Sequence, residues 1–85
     1  MGKPEIVGRV SVYALARLGR QAGASLTAEA IILDYHAWCR RMNYIPFRDG
    51  FFRSEFARVA TALGIGREVN DADEIYLGIA LKRDA

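Results

Sequence analysis

Only one cysteine, one histidine and two prolines occur among the 85 residues. The single thiol, Cys39, excludes an internal disulfide and any metal site built from several thiolates of one copy. His36 precedes it by three residues, a spacing that a helix brings together, yet zinc would need two further ligands, from another chain. A Cys–His nucleophile fares no better, because Cys39 borders an apolar stripe and suits a small buried side chain. No Walker-type glycine loop with lysine is present, and Gly64 and Gly66 fit a helix stop and a turn. The carboxylates Asp71, Asp73 and Glu74 lack the spacing of a calcium loop. The expectation is a non-enzyme with no metal and no cofactor.

Long apolar runs are missing too. None approaches the length of a membrane span, and "MGKPEIVGRV" has no apolar core of a signal peptide. A cytoplasmic protein without a membrane partner is expected. Neither sign of charge dominates, for the net charge is +2 with the histidine neutral, a balance that permits nucleic acid without demanding it.

What is present is enough apolar material for a fold. Hydrophobic residues make up 52%, including four tyrosines, four phenylalanines and one tryptophan, which argues against disorder. A chain of this length forms one domain with a thin core, burying about 60% of its extended surface.

Val7, Val10, Ala14, Leu18 and Ala22 recur at helical steps, with Leu15 beside them, and predict a first helix over about 6–22 stopped by Gly23. Thr27 or Ser25 is placed to cap a second helix over about 27–42, where Ile31, Tyr35, Trp38 and Met42 share a face flanked by Ile32 and Cys39. Pro46 breaks the pattern and leaves room for a short strand at Ile45–Phe47. A third helix over about 50–63 buries Phe52, Phe56, Val59, Ala60 and Leu63, with Phe51 tucked under the preceding turn and Gly64 ending it. The period then changes to that of strands, and "EIYLGIAL" with Arg67–Val69 predicts a hairpin over about 67–81, its turn at Asn70–Asp73.

Three helices followed by a hairpin make a mainly α chain of the α+β class, in the order of a winged helix-turn-helix. In that arrangement helix two braces helix three, helix three enters a major groove, and the hairpin is the wing. The short strand at Ile45–Phe47 is expected to pair with the wing. Six arginines lie between positions 40 and 67 against Asp49 and Glu55. Off the apolar stripe, helix three offers Arg53, Ser54, Ala57, Arg58 and Thr61 to a groove, since arginine can bond guanine bidentately and small side chains permit close approach. Arg40, Arg41, Arg48 and Arg67 are candidates for backbone phosphates. The same charges would also serve a merely solvated helix. Against DNA stand Glu68, Asp71, Asp73 and Glu74 in the wing, which repel phosphate unless the wing points away or meets a protein. Tyr44 and Tyr76 read as core or near-core rather than as stacking platforms.

"ILDYHAWCRRMNYIPFRDGFFRSEFARVATALGI" followed by "EIYLGIAL" resembles the C-terminal domain of the D5-like primase-helicases of phages, plasmids and poxviruses. The resemblance is carried by Tyr35, by Trp38 and Cys39, by Glu55 and Phe56, by Leu63 and Gly64, and by Tyr76, Gly78 and Ile79, and it covers about Ala28 to Lys82. It implies a winged-helix DNA-binding module attached to replication machinery. The expected function is thus non-catalytic binding of duplex DNA, in replication or its regulation in a mobile element, as a monomer or homodimer. The rival is a protein-interaction module that offers its acidic wing to a replisome or regulatory partner.

Overall fold

A computed structural model describes residues 6–70 and 73–82. The elements run α1 (Val10–Arg17), β1 (Leu18–Thr27), α2 (Ala28–Met42), α3 (Asp49–Ala62), β2 (Gly66–Val69) and β3 (Glu74–Leu81). The strands form one antiparallel sheet in the order β1-β3-β2. This is an α+β, winged-helix-like arrangement: three helices and an antiparallel sheet completed by the C-terminal hairpin.

The first third of the chain departs from the expected helix over 6–22. Helix α1 ends at Arg17, and Leu18 turns extended with φ −108° and ψ 137°. Residues 18–27 become β1, with Gly23 lying inside the strand rather than stopping a helix. The cause lies at the far end of the chain. Strand β3 needs hydrogen-bond partners on both edges, and β2 supplies only one. Leu18–Arg20 pair with Ile79–Leu81, and Ser25–Thr27 pair with Ile75–Leu77, so β1 fills the other edge. The register shifts between Arg20 and Ser25, opposite Gly78, whose φ is 73°.

The later helices begin and end as expected. Thr27 caps α2, its Oγ1 accepting the Ala30 N–H at 3.1 Å. Asn43, in the left-handed region at φ 61°, closes the other end. The connection to α3 contains no strand that pairs with the wing. Ile45 instead forms a single parallel bridge to Val7, its N–H donating to the Ile6 carbonyl while its own carbonyl accepts from Gly8. The extra length of this connection therefore ties down the chain before α1.

Aromatic side chains run through the core from element to element. Tyr35 of α2 stacks on Phe52 of α3 at 4.2 Å, Phe52 on Phe56 at 5.6 Å, and Phe56 meets Tyr76 of β3 edge-on at 4.8 Å. Tyr13 of α1 touches Tyr35, Trp38 and Phe52. It is fully buried, although the spacing of α1 did not single it out. Its hydroxyl donates to Asp34 Oδ2 at 2.9 Å, and Arg17 holds both oxygens of Asp34 at 3.1 Å. Burial first, then the Asp34 carboxylate, pushes the Tyr13 phenol above its ordinary range. Several residues expected in the stripes lie outside the core: Leu15, Met42, Leu63 and Phe51 are exposed, the last against Phe47.

Candidate nucleic-acid interface

Helix α3 is held by Phe52, Phe56 and Ala60, all buried, so its opposite side faces water. Heptad-like spacing then puts Arg53, Ser54, Ala57, Arg58 and Thr61 together on the outer side, as the residue pattern predicts. They line two adjoining shallow depressions. One, of about 450 Å³, lies between α3 and the wing and is bounded by Arg53, Ser54, Ala57, Arg58, Arg67 and Glu74. The other, of about 410 Å³, is bounded by Ala57, Arg58, Thr61 and Ala62. Small side chains therefore floor the surface and arginines rim it.

The arginines are not equally available. Arg53 Nη1 lies 3.5 Å from both Asp73 Oδ1 and Glu74 Oε1, and Arg67 Nη2 lies 2.6 Å from Glu74 Oε2. Two of the candidate DNA contacts are thus bound to the acidic residues that counted against DNA. Arg58, with its side chain 80% exposed, pairs with Glu55 one turn back at 3.1 Å. The Thr61 hydroxyl donates to the Ala57 carbonyl at 2.9 Å, leaving its lone pairs outward. Arg40, Arg41 and Arg48 are exposed and make no side-chain hydrogen bond or ion pair among the described residues. They stand at the end of α2 and at the N-cap of α3, on either side of the connection.

The wing turn is built inward where it is described. Asp73 Oδ2 accepts the Glu29 N–H at 3.3 Å, and its Oδ1 accepts the Glu74 N–H at 2.8 Å. The Glu74 N–H, then that of Glu29 and the Arg53 guanidinium, hold the Asp73 carboxyl below its ordinary value. Asp73 so serves the exposed start of α2 as a helix N-terminus favours a carboxylate. Asp71 lies outside the described residues, and Glu68 is exposed on β2.

Residue patterning passed over one contact that aims α3. His36 Nε2 meets Asp49 Oδ1 at 2.8 Å, stapling α2 to the first turn of α3. The signal for it was the lone histidine on the outer side of α2, thirteen residues before an acidic helix start. His36 and Cys39 part company accordingly, since Cys39 is buried and its thiol is pushed up by burial. Among the described residues, no three histidine, cysteine or carboxylate side chains converge as a metal site. No helix among them is long and apolar enough to cross a membrane.

No protein-family model, curated protein or solved structure matches this chain. The resemblance to D5-like primase-helicases rests on the residues that carry it. Most of these turn out to be structural: Tyr35, Trp38, Cys39, Phe56, Tyr76 and Ile79 are all buried. They speak to how a winged helix packs, and say nothing of what its outer surface meets.

Proposed function

We propose that this domain binds duplex DNA without catalysing a reaction, with α3 as its recognition helix. Its setting on this reading is cytoplasmic, in replication or regulation of a phage, plasmid or other mobile element, as the likeness to D5-like proteins implies. The observation that carries the proposal is the outer side of α3. Along most of its length it presents Ser54, Ala57, Thr61 and Ala62, short enough for a groove, alongside Arg53 and Arg58. Arg40, Arg41 and Arg48, without side-chain partners among the described residues, supply charge for phosphates beside the helix entrance. A homodimer would offer two such helices to two half-sites and enlarge an otherwise small interface.

The test is a titration of labelled duplex at several salt concentrations. Affinity should fall steeply between about 50 and 200 mM salt, and Arg53→Ala with Arg58→Ala should weaken it by about tenfold or more without unfolding the domain. Absence of duplex affinity at low salt would overturn the reading. A second reading, with the wing on a protein partner, draws on Val69, which is 66% exposed beside Glu68 on β2. It predicts that chemical-shift changes with DNA are absent from α3.

A further inference from the structure

Two arginines from different elements converge on one carboxylate. Arg53 comes from α3 and Arg67 from β2, and Glu74 sits between them, one oxygen toward each. Its side chain is 18% exposed and forms part of the wall of the depression shared with Ser54, Ala57 and Arg58. Guanidinium groups arranged around a single anionic group are the donor set that a phosphate takes. We propose that Glu74 is an internal substitute for a nucleic-acid phosphate, occupying Arg53 and Arg67 in the free domain and displaced when DNA binds.

The inference rests on the DNA-binding reading and adds a regulated site to it. Three features favour displacement over a permanent bridge. The Arg53 contacts are long, at 3.5 Å, and its side chain is 41% exposed, so water already competes for them. Asp73 has other work, accepting the N–H groups of Glu29 and Glu74, and so stays in place when Arg53 leaves. Glu74 is also the first residue of β3, beside a turn, where a side chain can swing outward without breaking the ladder to Val69. Held this way, two cations of the free domain are neutralised by Glu74, and weak non-specific attraction falls to other exposed arginines, among them Arg40, Arg41 and Arg48.

Glu74→Gln tests it, because the amide keeps the shape and removes the charge. Glu68→Gln is the matched control: it changes net charge equally, on an exposed wing carboxylate that makes no hydrogen bond or ion pair to either arginine among the described residues. Duplex affinity should rise about three- to tenfold in Glu74→Gln and less than about twofold in Glu68→Gln. The salt slope of Glu74→Gln should steepen by about 0.9 for each phosphate newly engaged. Equal effects of the two variants would reduce Glu74 to its share of the net charge and overturn the proposal. Weaker binding by Glu74→Gln would also overturn it, making Glu74 a residue that positions Arg53; in both cases the wild type still binds, and the DNA reading survives. If neither wild type nor Glu74→Gln binds at low salt, the DNA reading itself falls and takes the proposal with it. Binding by Glu74→Gln alone would overturn the displacement too, since DNA would then fail to displace Glu74 from Arg53 and Arg67 in the wild type. A mutation-free measurement is the Glu74 carboxylate carbon resonance in the wild type during duplex titration. It should move together with the α3 amides, and a static Glu74 signal beside shifting α3 amides would overturn the displacement.

Discussion

One hydroxyl joins three segments at Tyr35. It donates to the Gly8 carbonyl at 2.7 Å and accepts the Phe47 N–H at 2.9 Å, binding the chain before α1 and the entry to α3 onto α2. The approach is so close that Gly8 has no room for a side chain: a Cβ there would stand 2.5 Å from Cys39 Sγ and 3.3 Å from Trp38. Gly8→Ala should therefore cost about 1–3 kcal/mol by overpacking, read as a lower denaturation midpoint. An unchanged midpoint would mean that the N-terminal segment can lift away without loss. Arg53 shows the residue-scale limit of charge counting. Its position on the outer side of α3 was legible from helical spacing, but its carboxylate partners lie 20 and 21 residues away and depend on how the wing folds back.

Among the elements, α2 and α3 were the most legible, because each carries a stripe of large apolar residues at helical steps and α2 has its Thr27 cap. Strand β1 was not. Its sequence, LGRQAGASLT, contains little that favours a strand, and only Leu18 within it is buried. Leu18 and Ala22 fit equally well as the last members of the helical stripe, so periodicity misassigned them. The strand exists because β3 has an open edge, and the partners Leu18 and Leu81 are far apart in the chain. The irregularity where β1 crosses β3 yields a prediction. Gly78 has φ 73° with open space around its missing Cβ, so Gly78→Ala would meet no clash and suffer only the backbone penalty of about 1–2 kcal/mol. The melting midpoint should drop by roughly 4–16 °C for a domain of this size. No drop would show that β3 can relax its conformation there.

For the molecule as a whole, the aromatic core that sets α3 against the sheet also makes the fold sensitive to alkali. Tyr13, Tyr35 and Tyr76 are buried, and in each burial is the main cause that raises the phenol. The Tyr35 value is pushed from an ordinary 10.0 up to about 12. An acid raised on folding prefers to stay neutral in the folded state. The stability it contributes is complete below pH 10.0 and is lost as pH climbs toward the folded value near 12. Tyrosinate absorbance and circular dichroism followed together should show most phenols ionising as helical signal disappears. Free ionisation of Tyr13, Tyr35 and Tyr76 near 10.0 with the fold intact would contradict the packing.

Local sequence determined what needed only neighbours. Helices α2 and α3, the Thr27 cap, the apolar stripe Phe52–Phe56–Ala60 and the hairpin follow from short-range spacing, because the forces that favour them act within a few turns. Tertiary structure decided the rest. It ended α1 at Arg17, drew β1 to the free edge of β3, moved Ile45 from the wing to Val7, and folded Asp73 and Glu74 back onto Arg53 and Arg67. These contacts satisfy hydrogen-bonding and charged groups with partners distant in the chain, which no short window of residues can identify.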